Sequence, residues 1–154
     1  MIQAPQAASP IHEWRRDGHL ISTDRRRLDI DMIWRFLSQE AYWSPGIERA
    51  LVECAIAGSM VLGLYEEESG RQVGFARILS DGARLAYLSD VFVLASHRGR
   101  GIGTWLIETA LDHPQLRAVG RWMLATGDAH ELYARFGFKP LQDTAKYMER
   151  LINR

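Results

Sequence analysis

Apolar positions recur with two different periods along this chain, and each change of period marks an element. His19 to Ser22 reads as a short strand, after which the run Arg25 to Arg27 leads into Ile30, Ile33, Trp34 and Leu37. That i, i+3, i+4, i+7 spacing predicts one helical face, with Asp29 as its N-cap. A second helix is predicted with Ser44 as cap, Pro45 in the first turn and Gly58 as its end. Its stripe is Ile47, Ala50, Leu51, Cys54 and Ala55, which puts Cys54 in the core. From Met60 the pattern changes to strands, Met60 to Tyr65, Val73 to Leu79 and Leu85 to Val93. Glu66 to Gly70 and Ser80-Asp81-Gly82 carry turn chemistry between them, so the three form an antiparallel meander.

Downstream, Ile102, Trp105, Leu106, Thr109 and Ala110 predict a helix that stops at His113-Pro114. Arg121 to Thr126 reads as a buried strand. Asp128 and Glu131 have capping-box spacing before a short helix with the face Leu132, Tyr133 and Phe136, ended by Gly137 in the left-handed conformation. Phe138 to Leu141 and Lys146 to Leu151 are expected as closing strands around the loop Gln142 to Ala145. The result is a mixed α/β domain.

Length and charge narrow the class. A chain of 154 residues suits one compact domain, read as residues 18–154 behind a loose tail, 1–17. Nineteen lysines and arginines balance nineteen aspartates and glutamates, so overall charge argues for neither a nucleic-acid nor a membrane partner. Any anion must be met locally. Cys54 is the single cysteine, which excludes an internal disulfide or a cysteine-built zinc site and fits a reducing compartment. No apolar stretch approaches the roughly 20 residues of a membrane span, and MIQAPQAASP lacks the regions of a signal peptide. A cytoplasmic location is the expectation.

The stretch "RGRGIG", Arg98 to Gly103, is the strongest chemical signal. A nucleoside-triphosphate loop would end in Gly-Lys and Ser or Thr, but Thr104 follows Gly103 directly and the loop has no lysine. A dinucleotide fingerprint needs G-x-G-x-x-G, whereas Gly99, Gly101 and Gly103 follow G-x-G-x-G. What remains is still specific. Glycines let the backbone turn its N–H groups inward, and the helix opening near Gly101 adds unsatisfied donors and a positive dipole end. Such a nest suits a pyrophosphate, with Arg98 and Arg100 at its rim. A tight strand-to-helix turn with two solvated arginines is the simpler alternative.

The pattern Arg98-x-x-Gly101-x-Gly103, after the strand Leu88 to Val93 and opening a helix, resembles the acetyl-CoA-binding motif of the GNAT superfamily of N-acetyltransferases. Leu132-Tyr133-Ala134-Arg135-Phe136-Gly137-Phe138 resembles the short helix and Gly-Phe turn closing that family's cofactor site. The order of elements from about Gly18 to Leu151 is also similar. The resemblance implies a mostly antiparallel α/β sheet with about four helices, splayed between the strand ending at Val93 and the strand Trp122 to Ala125. Coenzyme A's pantetheine arm would lie in that gap as a pseudo-strand on the main chain of Val91, Phe92 and Val93. The N–H groups of Arg98, Gly99, Arg100, Gly101, Ile102, Gly103 and Thr104 would cradle the pyrophosphate. Many members carry asparagine where this chain has Thr126, the cofactor-contacting position seven residues before the helix tyrosine.

The implied activity is acetyl transfer from acetyl-CoA, as cosubstrate and with no metal, to a primary amine of a small molecule within a ternary complex. Alternatives are a non-catalytic acyl-CoA sensor and an enzyme acting on protein N-termini or lysines. A homodimer is compatible with either. An amine of pKa about 10.4 must lose a proton before attack, negative charge on the carbonyl must be met, and the departing thiolate must gain a proton. The Val91 N–H suits the second task. Tyr133, which the resemblance places beside the sulfur, suits the third, since a phenol near 10 lies close to a thiol near 8.5.

Asp90 has three readings: general base, structural or substrate-binding carboxylate, or bystander to a water chain. Some members place a glutamate base where this chain has Tyr87. Tyr42 and Trp43 lie where the resemblance puts the acceptor wall, and either cover a ligand or pack the helix corner. Arg77, if it faces the cleft, suits an acceptor with a carboxylate or phosphate; otherwise it faces solvent. His97 and His130 read as surface or phosphate-rim residues.

Overall fold

The computed structural model describes residues 9–152; residues 1–8, part of the stretch read as a tail, and 153–154 lie outside the described residues. The chain opens with a hairpin, β1 (Glu13–Arg16) and β2 (His19–Ser22). Arg16 opposes His19, so Asp17-Gly18 is a two-residue turn, and both residues take positive φ, 48° and 74°. Asp-Gly is the usual sequence for that turn, because a right-handed ribbon twist requires left-handed φ at both positions. The reading of 1–17 as a loose tail is therefore corrected at residues 13–16. Arg16 also pairs with Glu108 at 3.2 Å and covers the Trp105 ring, tying the hairpin to the helix beneath it.

Two helices follow, α1 (Ile30–Arg35) and α2 (Arg49–Ala57), joined through a π turn at Phe36–Glu40. Asp29 caps α1 by accepting from the Met32 N–H at 3.0 Å, as expected. The second helix starts later than predicted, with Glu48 at its N-cap and Ser44 and Pro45 in the preceding turn. Its buried residues are Val52 and Ile56, and Cys54 is exposed. Two overlapping stripes competed on that segment, and the one that packs against Val61 and Phe75 of the sheet through Val52 and Ile56 took the core, leaving Leu51 exposed. Cys54 is accordingly not core packing.

The meander is β3 (Met60–Glu66), β4 (Gln72–Ser80) and β5 (Leu85–Val93), and α3 (Ile102–Leu111) follows the glycine loop. β6 (Arg121–Met123) is shorter than predicted, and Trp122 to Leu124 are half-buried rather than buried. The short helix α4 (His130–Ala134) has Ala129 at its cap; the turn before it is closed by Thr126 Oγ1, which accepts from the Ala129 N–H at 3.1 Å, so the Asp128 capping box does not form. Gly137 ends that stretch at φ 86°. The closing strands expected at 138–141 and 146–151 are absent. Residues 139–152 are exposed, with one 3₁₀ turn at Thr144–Lys146, and strand-like alternation alone provides no partner ladder.

The six strands lie in chain order, antiparallel throughout except for the parallel pair β5–β6. One sheet face packs Leu62, Leu64, Val73, Ile78 and Leu88 against Trp105, Leu106 and Ala110 of α3. The other packs Val61, Phe75 and Phe92 against Ile33, Phe36 and Leu37 and against Val52 and Ile56 of α2. Phe36 and Phe92 stack at 3.8 Å, so the first helical region is anchored on β5 beside the gap described next.

β5 carries the irregularity that shapes the site. Phe75 opposes Phe92 and Arg77 opposes Ser89, leaving Asp90 and Val91 together opposite Ala76. This is a β-bulge, and Asp90 takes φ 51° within it. A non-glycine residue in that region costs of order 1 kcal/mol or more and persists only where its surroundings hold it. The Arg77 guanidinium does so, donating from Nε to Asp90 Oδ2 at 2.8 Å with both side chains 14% exposed. On the other side of β5, pairing with β6 stops at Tyr87–Met123, and the strands part.

Asp90→Ala is expected to lower stability by ~2 kcal/mol in urea unfolding, below the ~3–5 kcal/mol for a fully buried pair because some solvent reaches this one. A double-mutant cycle with Arg77→Ala should recover a coupling of ~1–2 kcal/mol. A second expectation concerns His113, buried against His12 and Trp14 with rings 5.4 and 6.2 Å away. Burial, and then the charge of His12, lower its pKa from 6.5 to about 4. The unfolded chain therefore takes up that proton first, so stability should fall as pH drops from about 6.5 towards 4. His113→Gln should flatten that slope in thermal melts across the same range.

Candidate active site

The parting of β5 and β6 creates a cleft that narrows where the strands still pair. Its inner part is a cavity of about 180 Å³, walled by Leu88 to Val91 on one side and Ala125, Thr126 and Tyr133 on the other. Tyr42 and Trp43 close it from the loop between α1 and α2. Five of the residues singled out in the sequence, Tyr42, Trp43, Asp90, Val91 and Tyr133, therefore meet around one small space, and Thr126 joins them. Tyr87, Ser89, Asp128 and Ala129 complete the lining and were not assigned there from sequence. Asp128 was read from sequence only as the cap of the short helix; its place in a turn after a strand, where clefts in open α/β sheets collect side chains, is the signal that could have found it.

Tyr42 and Trp43 each bind one side of the opening. The Trp43 indole Nε1 donates to Asp90 Oδ1 at 3.0 Å, and Tyr42 Oη accepts the Gly127 N–H at 2.5 Å. Their rings meet edge to face at 5.1 Å, so the pair spans from β5 to the turn after β6. A side chain at Gly127 would crowd the Tyr42 ring, with Cβ 3.1 Å from its oxygen. These aromatics cover the cleft and also pack the corner, through Trp43 against Phe36 at 6.4 Å.

Asp90 has both carboxylate oxygens occupied, one by Trp43 and one by Arg77. Arg77 in turn donates to Ser59 Oγ and Ser89 Oγ, each at 3.1 Å. Its charge is matched inside the protein, and it is absent from the cavity wall. The reading of Arg77 as a hand for an anionic acceptor loses its geometric basis.

Tyr133 is half-buried on α4, with Phe138 edge-on at 5.8 Å. Burial, followed by Tyr42 and Asp128 nearby, pushes its phenol up to about 12. It stays a protonated donor across the physiological range. Thr126 Oγ1 accepts within its own turn. A second, more apolar hollow of about 480 Å³ lies behind Tyr133, lined by Trp122, Leu124, Phe138 and Leu141 among others and shared with His130.

The glycine loop lies at the far end of β5. Gly99 and Gly101 take φ 77° and 78°, and a Cβ at either would meet nothing within 4 Å. That is open space in front of the backbone, with Gly101 as the left-handed N-cap of α3. Among the described residues, none of the N–H groups from Gly99 to Thr104 finds an acceptor, as the first turn of a helix dictates. Gly103 differs from them: a Cβ there would sit 3.5 Å from the Val93 side chain, an ordinary packing contact between α3 and β5. Arg98 Nε donates to the Val93 carbonyl at 2.9 Å, pinning the loop to the strand end, and Arg100 is exposed. Ile102 is buried, so it offers the loop its N–H alone, while Phe92 and Val93 are buried and Val91 faces the cleft. His97 is buried beside His19 and Glu66, away from the rim position expected of it.

A loop of free donors, a parted pair of strands and a half-buried phenol thus gather around β5. Residues 54–140 match the family described as an acetyltransferase (GNAT) domain. An acetyltransferase candidate from Gibberella zeae is 32% identical over 143 residues, spanning 79% of each chain. A crystal structure of a GNAT-family acetyltransferase candidate from Xanthomonas campestris pv. campestris is 45% identical, covers 93% of this chain and 94% of its own, and superposes with a TM-score of 0.81. The glucosamine-6-phosphate N-acetyltransferase of Arabidopsis thaliana shares the fold at 15% identity, with a TM-score of 0.58 over 94% of this chain and 99% of its own. Family match, relatives and parted sheet agree, and the chain belongs to the GNAT acetyltransferase family.

Proposed function

We propose that this protein transfers acetyl from acetyl-CoA to a primary amine of a small molecule by direct attack in a ternary complex. The observation that carries the reading is the alignment of the donor-rich loop Gly99 to Thr104 with a cleft whose inner cavity brings Val91 and Tyr133 together. Acetyl-CoA fits the residues present. Left-handed glycines leave room for phosphate oxygens against N–H groups that lack partners, and the end of β5 offers main chain to an extended arm.

In this reading the Val91 N–H meets the charge that develops on the acetyl oxygen, held by a bulge that exists before substrate arrives. Tyr133 gives its proton to the sulfur as the carbon–sulfur bond breaks. Asp90 is a positioning carboxylate: both its oxygens already accept hydrogen bonds, so it fixes Trp43 and the bulge rather than removing the amine proton. That proton leaves through water in the open cleft.

Release of free thiol from acetyl-CoA, followed across a panel of small primary amines and lysine peptides, tests the reaction. Amine-dependent turnover on small amines is expected; tight coenzyme A binding with no turnover on any amine would overturn it. Tyr133→Phe should lower kcat by about 10²-fold while leaving acetyl-CoA affinity nearly intact. In contrast, Gly101→Val should weaken coenzyme A binding by at least about tenfold in calorimetry, since a β-branched residue both resists φ 78° and fills the cradle.

A further inference from the structure

We infer that the acceptor is an amine bearing a second positive charge and no anionic group, recognised by Asp128 together with the aromatic walls of the cavity. The inference rests on the acetyl-transfer reading above and gives its substrate class. The only charged side chains lining the 180 Å³ cavity are Asp90 and Asp128. No lysine, arginine or histidine lines it. The two carboxylates differ in what they have left to offer. Asp90 is neutralised by Arg77 at 2.8 Å and bonded by Trp43. Asp128 pairs with no basic side chain among the described residues and stands exposed at the mouth.

The remaining walls suit a cation as well. Tyr42, Trp43, Tyr87 and Tyr133 all line the space, and ring faces attract ammonium or guanidinium groups once water is displaced. Tyr42 and Trp43 meet nearly at right angles, 87°, at the cavity wall. Asp128 and Tyr133 line the same cavity, so a cation held at the carboxylate lies in the space that the tyrosine also borders. An acceptor carrying a carboxylate or phosphate would bring a like charge to Asp128 with no basic wall residue to answer it.

During transfer the attacking nitrogen loses one proton and bonds the acetyl carbon, the carbon–sulfur bond breaks, and the sulfur gains one proton. The second ammonium keeps its charge and its contacts throughout.

The test compares three acceptors of equal length, butylamine, 1,4-diaminobutane and 4-aminobutanoate, by kcat/KM and by calorimetric binding to the protein loaded with coenzyme A. The diamine should exceed the monoamine by about tenfold in both measurements, with the amino acid lowest. Asp128→Asn should reduce the diamine-to-monoamine ratio by about tenfold, chiefly through KM, and Asp128→Glu should restore part of it. Equal values for the three acceptors, a preference for 4-aminobutanoate, or a ratio indifferent to Asp128 would overturn the inference. Should no acceptor turn over, the transfer reading falls, and Asp128-dependent diamine binding still decides this one.

Discussion

The architecture of the candidate site rests on one ion pair that holds one unfavourable backbone conformation. Asp90 sits at φ 51° because a bulge places two residues opposite Ala76, and Arg77 holds the carboxylate from the neighbouring strand. Both groups belong to strands inside the sheet, and with each side chain 14% exposed the pair is largely shielded from water. The ladder with β6 ends at Tyr87–Met123, three residues before Asp90, so the bulge and the opening of the sheet lie side by side.

That opening separates two kinds of recognition. Along the loop from Gly99 to Thr104 the protein offers main-chain donors, which are indifferent to side-chain identity and need only glycine's freedom at Gly99 and Gly101. The inner cavity offers side chains from four separate segments, Tyr42 and Trp43, Tyr87 to Val91, Ala125 to Ala129, and Tyr133. Backbone recognition suits a group common to every turnover, while the side-chain walls are free to differ between relatives that share the fold at 15% identity.

The central strands were legible almost to the residue, because Met60 to Tyr65, Val73 to Leu79 and Leu85 to Val93 sit between turn sequences and bury residues on both faces. The loop was legible because glycine spacing is itself a statement about backbone geometry. The early hairpin was legible too, in Asp17-Gly18, but the charged residues Glu13, Arg15 and Arg16 obscured it. Its polar face is satisfied by partners such as Glu67 and Glu108, distant in sequence. The stripe on α2 was ambiguous because two sets of apolar residues share that segment, and only packing against Val61 and Phe75 selects one. Residues 138–151 failed for the opposite reason: their alternation is strand-like, yet no neighbouring strand takes up their hydrogen bonds.

What the sequence concealed most completely was the balance of charge around the inner cavity. Arg77 in an apolar strand invites an anion, and Asp90 in the next strand invites a proton, but each reading treats as free a group that the other engages. Their pairing could not be read from spacing, since the bulge shifts the register by one residue and decides which side chains face each other. Once they are joined, the wall's unpaired charge falls to Asp128, and Trp43 becomes the link between that wall and the bulge. Tyr42 completes the connection by holding Gly127, the residue next to Asp128. The two adjacent aromatics thus fix the distance between the strained strand and the acidic turn, and the cavity between those two points inherits its width from them.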